Sequence, residues 1–251
     1  MENGRKPARL EDVPRVSLGF FPTPLHRLER LSQRLGCEIY VKRDDLTGFT
    51  PYGGNKIRKL EFLLADAVAK ECSVVITYGA LQSNHAMETV SAARKCGLTP
   101  IVYLFGPEEP DPADLRGNLL LDALYDAEVH IVRPQNETFF QMTERLHLLA
   151  LRRIRELEGE GHRCYEIPAG GATPLGSIGY ILGYRELMEQ MEALGKAPDH
   201  LFLATGSGGT LAGLAAGRAL RGDLLDITGF LTAPKELGDS LGNVISIARP
   251  R

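Results

Sequence analysis

Gly53-Gly54-Asn55-Lys56-Ile57-Arg58-Lys59-Leu60-Glu61 is the stretch whose reading decides the fold. The two glycines let the backbone turn where a side chain would clash. Asn55 suits a helix start, because its side chain can accept from the first free amides. From Lys56 onward Ile57, Leu60, Leu63, Leu64 and Ala67 recur at helical spacing and form one apolar face. Lys56 is therefore expected in the first turn of a helix, beside a flexible loop. The positive end of the helix dipole and the neighbouring Arg58 and Lys59 both disfavour another cation there. That placement pushes the amine toward the neutral form that a carbonyl-condensing lysine needs. Taken alone, the stretch favours the plainer reading, a solvated lysine on a surface helix.

Outward from this stretch, β-branched runs alternate with helical periods. Strands are expected at 38–42, 73–78, 101–105, 128–132, 163–167, 200–204 and 226–230. Helices are expected at 25–35, from Lys56, from about 85 to Cys96, and at 115–127, 137–158, 175–194 and 211–220. Arg43-Asp44-Asp45 reads as a salt-bridged turn. The alternation predicts an α/β fold of parallel sheets with helices on both faces. In such sheets ligands bind beyond the carboxyl ends of the strands. Four stretches share that expected address: the Lys56 loop, Gln82-Ser83-Asn84, Gly170-Gly171 and Gly206-Ser207-Gly208-Gly209-Thr210.

Composition removes several function classes. A net charge of −3 and the lack of a helix-turn-helix or zinc-finger pattern give no reason to expect nucleic acid. Cys37, Cys72, Cys96 and Cys164 are scattered without a Cys-x-x-Cys, which fits a reducing cytoplasm and argues against a disulfide framework or zinc site. No His-Glu-x-x-His pair offers metal ligands, and no metal is expected. Residues 1–9 are charged and polar, and no apolar run is long enough for a bilayer, so neither a signal peptide nor a membrane partner is expected.

Gly206-Ser207-Gly208-Gly209-Thr210 lies between a strand and a small-residue helix, where successive amides and the helix dipole can hold one phosphate. A nucleotide loop would end Gly-Lys-Ser/Thr, and a dinucleotide fingerprint would need glycine where Leu211 stands, so both fail. Gln82, Ser83, Asn84 and His85 put polar groups at a strand end, although taken alone they are better explained by Ser83 or Asn84 as a helix cap. His85 has no visible acidic partner and is given no chemistry. A primed lysine, a cup for one phosphate and a polar strand end together match a cofactor with an aldehyde, one phosphate and a phenolic oxygen. That cofactor is pyridoxal 5'-phosphate.

Gly53-Gly54-Asn55-Lys56-x-Arg58-Lys59-Leu60-Glu61, Gln82-Ser83-Asn84-His85, Thr205-Gly206-Ser207-Gly208-Gly209-Thr210, Pro22-Thr23-Pro24-Leu25 and Lys42-Arg43-Asp44-Asp45 occur in an order that resembles the D-cysteine desulfhydrase/1-aminocyclopropane-1-carboxylate deaminase family. The resemblance implies the fold-type-II, tryptophan synthase β-like architecture. It divides the chain into a small domain, 54–165, and a large domain, 1–53 plus 166–251. It also implies that Lys56 links covalently to the cofactor and that Asn84 bonds the phenolic oxygen. Ser83 would face the cofactor opposite the lysine as a catalytic proton carrier or substrate contact. Gln82 would help hold the substrate carboxylate, and Gly206 to Thr210 would take the phosphate. The implied reaction is a PLP-dependent lyase or deaminase reaction on a small amino acid. A D-cysteine-like substrate would lose its Cα proton and its β leaving group and give a 2-oxo acid and ammonia. Opening of a cyclopropane amino acid is the alternative within the family. The partner is the small-molecule substrate, and the assembly expected is a homodimer. Family members continue past the strand at 226–230, and residues 231–251 match none of that continuation, so the chain is expected to be C-terminally shortened with an incomplete large domain. A shortened relative that binds cofactor without turnover, or a partner subunit, is the alternative of another class.

Overall fold

The computed structural model describes residues 9–48, 53–106 and 115–232. Its centre is the helix that begins after Lys56, α2 (Ile57–Ala69). The apolar positions Ile57, Leu60, Leu63, Leu64 and Ala67 are all buried, as their spacing requires. The opposite side of α2 is buried too: Arg58, Lys59, Glu61 and Phe62 are each at most 4% exposed. Helix α6 (Pro174–Ala193) covers that side. Its Gly179 permits the contact, since a Cβ there would lie 2.0 Å from the Arg58 carbonyl oxygen. The helix read as amphipathic is thus a central helix whose charged side chains are partnered inside the protein.

The main sheet is parallel, in the order β5-β4-β3-β6. It comprises β3 (Val74–Ala80), β4 (Thr99–Phe105), β5 (Glu128–Val132) and β6 (Cys164–Ile167). The register pairs Ile76 with Ile101 and with Glu166, and Ile101 with Glu128. Alternation along the strands sends Val75 and Ile167 to one face, against α2 and α3 (Asn84–Lys95). Val102 and Leu104 reach α3 and α4 (Gly117–Leu124) on that same side. Val74, Ile76, Tyr78, Ile101 and Tyr103 face α5 (Phe139–Gly159) on the other. Helices therefore lie on both faces, and the strands are apolar on both sides, as buried parallel strands must be. A second parallel pair, β7 (His200–Thr205) and β8 (Asp226–Leu231), is joined through α7 (Gly209–Arg221). Leu201, Leu203 and Ile227 of this pair pack on Tyr180, Tyr184 and Leu214 of α6 and α7.

Two expectations fail near the N-terminus. The helix expected at 25–35 is a short strand, β1 (Leu25–Arg27), followed by α1 (Glu29–Leu35). The strand expected at 38–42 is β2 (Tyr40–Lys42), which pairs antiparallel with β1 rather than joining a parallel sheet. The Lys56 loop therefore does not follow a strand of either parallel sheet. Gln82–Asn84, Gly170–Gly171 and Gly206–Thr210 do lie at carboxyl ends, after β3, β6 and β7 respectively. Arg43 and Asp45 form the expected ion pair, with Nη2 to Oδ2 at 2.6 Å.

Candidate active site

Lys56 enters the site through the start of α2, where it is the residue preceding the first helical position. Asn55 does not cap this helix, contrary to expectation. The cap comes from another element: the backbone N–H groups of Lys56 and Ile57 both donate to Glu88 Oε2 of α3, at 3.0 and 3.1 Å. Asn55 does something else. Its Oδ1 accepts from Lys56 Nζ at 2.7 Å, and its Nδ2 donates to Thr210 Oγ1 at 3.3 Å. One amide side chain therefore ties the lysine to the loop after β7.

That loop opens α7. Gly208 has φ +84, a left-handed value that favours glycine. The opening amides of a helix have no intrahelical acceptors, so those of α7 are available to an anion. Gly170, φ +72, closes the other side. A Cβ there would lie 2.2 Å from Ser207 Oγ and 3.8 Å from Lys56 Cε, so only glycine lets these two side chains share that space. Lys59 comes from the next turn of α2. Its Nζ donates to Gly170 O at 3.1 Å and would be 2.9 Å from a Cβ on Gly209. Among the described residues it has no carboxylate in ion-pair range.

Burial lowers the pKa of Lys56, and the charge of Glu88 opposes that shift. The direction is the one expected, with burial as its leading cause. Arg58 lies outside this group altogether, because its guanidinium is held by Asp44 and Glu186. Lys59 is lowered further, to about 7, by burial and then by the charge of Lys56. Glu88 is raised to about 7 by burial, against the pull of Lys56, the two amides and Lys59. His85 is held neutral by burial and by the two lysines. Its Nε2 shares a hydrogen bond with Thr77 Oγ1 at 2.8 Å, a core role consistent with giving it no chemistry.

Gln82, Ser83 and Asn84, between β3 and the start of α3, form a separate group. Ser83 caps α3, its Oγ accepting from Ala86 N at 3.2 Å, and its O–H remains a donor. Asn84 Oδ1 accepts from Asn118 Nδ2 at 2.6 Å, which orients the Asn84 Nδ2 hydrogens as donors. Gln82 is engaged at both ends: Oε1 accepts from Asn118 N, and Nε2 donates to Arg116 O. Among the described residues no hydrogen bond joins Gln82, Ser83 or Asn84 to Lys56. The structure thus brings together Lys56, Ser207, Gly208, Gly209 and Thr210, and adds Asn55, Lys59, Gly170 and Glu88. The signal for Lys59 was the small-residue spacing of Gly176, Gly179 and Gly183 in α6, which marks a second helix packed on α2.

An amine pushed toward neutrality, a buried cation without a carboxylate, and free amides at a helix start fit one phosphate beside one aldehyde. Comparison with known proteins agrees. The model of the family described as "Pyridoxal-phosphate dependent enzyme" matches residues 16–245. The chain belongs to the pyridoxal-phosphate dependent enzymes. Within this family it is 47% identical over 213 residues to a Pyrococcus abyssi protein named "Putative 1-aminocyclopropane-1-carboxylate deaminase", covering 85% of this chain and 61% of that one. It is 40% identical over 211 residues to a Serratia proteamaculans protein named D-cysteine desulfhydrase, covering 83% and 61%. A solved structure titled as an ACC deaminase homologue superimposes with a TM-score of 0.83 at 40% identity, covering 95% of this chain and 70% of that one. The chain thus spans 61% of the length of each of the two named proteins. The parallel α/β architecture expected for fold type II is confirmed by the superposition.

Proposed function

We propose that the chain carries the cofactor site of a lyase or deaminase acting on a small amino acid, with a D-cysteine desulfhydrase-like reaction as the principal reading. The observation that supports it is the convergence of Lys56, Asn55, Ser207, Thr210 and Lys59 around Gly170. In this reading Lys56 Nζ holds the cofactor's aldehyde carbon, and Gly206 to Thr210 with Lys59 hold its phosphate. Asn84 Nδ2 would be the donor to the phenolic oxygen. When bound, pyridoxal phosphate supplies an electron sink for charge left at Cα of the substrate. Lys56 contributes a nucleophile whose pKa burial lowers, and a base or acid for the Cα proton. The Ser83 O–H stands as the second proton carrier. The remaining N–H of Gln82 Nε2 is available to the substrate carboxylate. For D-cysteine the sum is substrate plus water giving pyruvate, ammonia and sulfide.

The name of the Pyrococcus relative supports a second reading, opening of 1-aminocyclopropane-1-carboxylate to 2-oxobutanoate and ammonia. The third, cofactor binding without turnover, is weighed by the same experiment. The purified chain is loaded with pyridoxal phosphate, reduced with borohydride and mapped by mass spectrometry, and a parallel sample is assayed with each substrate. A pyridoxyl tag on Lys56 with pyruvate and sulfide from D-cysteine is expected. A tag on another residue overturns the site, and 2-oxobutanoate alone selects the second reading. A Lys56 tag without turnover selects the third. We extend the reading to two lobes, 54–165 and the remainder, to a homodimer, and to a cytoplasmic location. All four cysteines are unpaired, and among the described residues no helix is long and apolar enough to cross a membrane.

A further inference from the structure

Glu88 is a carboxylate in an expensive place. It is 1% exposed, on a stretch of α3 otherwise built of Ala86, Met87, Thr89, Val90 and Ser91. Its Oε2 accepts from two backbone amides thirty-odd residues away in sequence, at the positive end of α2. Its Oε1 presses on Gly54, where a Cβ would lie 2.1 Å away. Capping two amides needs only a neutral acceptor, and a buried glutamine or serine would do it without desolvating a charge. The extra negative charge calls for a cation. The charged and titratable groups interacting with Glu88 are Lys56 and Lys59 of α2 and Tyr180 of α6, with His85 on its own helix facing the same two lysines. Tyr180 and His85 are neutral. Lys59 is committed to the phosphate in the functional reading given above, on which this inference rests. Lys56 is left.

We propose that Glu88, which holds the Lys56 backbone amide while the Lys56 amine bonds Asn55, is a positioning residue for Lys56 that acts on its charge from outside ion-pair contact. Its Oε2 fixes the turn that aims the lysine, and its charge favours the cationic form of the Lys56 nitrogen, whether that nitrogen is free or joined to the cofactor. Gly54 is the complementary feature, because it alone lets the carboxylate reach the two amides.

The test compares the full chain with its Glu88→Gln and Glu88→Asp variants. In cofactor-free protein, acetylation of Lys56 by acetic anhydride is followed by peptide mass spectrometry across pH. Glu88→Gln keeps an amide acceptor but loses the charge, and its midpoint falls by about one pH unit, a tenfold loss of proton affinity. Glu88→Asp keeps the wild-type midpoint. In cofactor-loaded protein, the pH at which the visible absorption band changes form moves down in the Gln variant alone. Identical Lys56 midpoints in wild type and Glu88→Gln overturn the proposal, as does loss of stability with no change in either midpoint. Coupling is reciprocal, which provides a measurement independent of Gln folding. In Lys56→Met the Glu88 carboxyl, observed by carbon-13 NMR, must titrate at higher pH than in wild type; an unmoved titration also overturns the proposal. Borohydride tagging separates the two claims. A tag elsewhere removes the cofactor reading, while the cofactor-free midpoints still decide whether Glu88 sets the charge of Lys56.

Discussion

Lys59 shows how one residue can carry a stability cost that a ligand relieves. Burial among α2, α6 and the Gly170 loop holds its pKa near 7, well below the roughly 10.4 of a free lysine. The unfolded chain therefore binds more protons than the folded one between those values. Stability gains from this group as pH rises through that window, and the penalty is fully present below it. Lys59→Met, which removes the charge at similar volume, is expected to stabilise the cofactor-free protein most near pH 7 and to lose that advantage toward pH 10. Denaturant midpoints at several pH values measure this. The same variant is expected to weaken pyridoxal phosphate binding about 10–100-fold, since a charged hydrogen bond is worth about 1.5–3 kcal/mol. Unchanged affinity in Lys59→Met would remove it from the phosphate site. Gly54 offers a second residue-scale test. Gly54→Ala drives a methyl into the Glu88 carboxylate and is expected to cost about 1–3 kcal/mol. Shortening Glu88 to Ser in the same chain should recover part of that loss, and additive effects in the double-mutant cycle would show that the two do not touch. The helix start at Lys56 and the turn at Gly206–Thr210 were legible as backbone positions, because each has a residue pattern tied to one. Lys59 and Glu88 were not, because their roles depend on which helices meet.

At the scale of elements, α2 is fixed by an ion cluster that gives a role to Pro22-Thr23-Pro24 and to Arg43-Asp44-Asp45, the latter read from sequence as a salt-bridged turn. Arg58 donates to both oxygens of Asp44, at 2.8 and 2.9 Å, and to both of Glu186, at 3.0 and 2.9 Å. Thr23 Oγ1 donates to Asp44 Oδ1, and Lys42 bonds Glu186, Gln190 and the Thr23 carbonyl. Pro22-Thr23-Pro24 and Arg43-Asp44-Asp45 thus lock the N-terminal ribbon and α6 onto the helix that carries Lys56. Removing the buried Arg58 takes the guanidinium from Asp44 and one of two cationic partners from Glu186, both partly buried, so Arg58→Leu is expected to cost about 3 kcal/mol in denaturant unfolding. Burial alone would raise Glu186, but its pairs with Arg58 and Lys42 outweigh that and hold it at about 2. A lowered carboxyl stabilises above its unfolded value, roughly 4.3, and loses that contribution as pH falls toward 2. The acid limb between those values should be steeper in wild type than in Arg58→Leu. The main-sheet strands were legible from β-branched runs, as at Glu128–Val132. The β1–β2 ribbon was not, because three-residue strands carry no period. Nor does periodicity distinguish a face packed on another helix from one in water, which is why the burial of Arg58, Lys59 and Glu61 was not legible.

Across the whole molecule, these groups combine into a stability curve of unusual shape. Glu88 and Asp122 are both raised to about 7 by burial. Asp122 is 1% exposed, and among the described residues neither of its carboxylate oxygens meets a hydrogen-bond partner. A raised carboxyl binds its proton more tightly in the folded state, so stability falls as pH climbs from about 4 to about 7. Lys59 then returns stability as pH rises beyond 7. Glu186 removes it at the acid end. Cofactor-free protein is therefore expected to be more stable near pH 5 than near pH 7, where each of the three buried groups near the centre is half-titrated and poorly solvated. Bound phosphate would relieve the lysine part of this trough, so the site that costs stability when empty is the one a ligand strengthens. Asp122 lies outside that site and allows the argument to be tested without the cofactor. Asp122→Asn removes the titration but still buries a polar group, a cost that is the same at every pH. Relative to wild type, the variant should gain on the order of 1–2 kcal/mol more at pH 7 than at pH 5. Guanidinium unfolding of both proteins at the two pH values measures that difference directly. An equal effect at both pH values would mean that Asp122 titrates as it does in water, and the trough would then have to come from Glu88 alone.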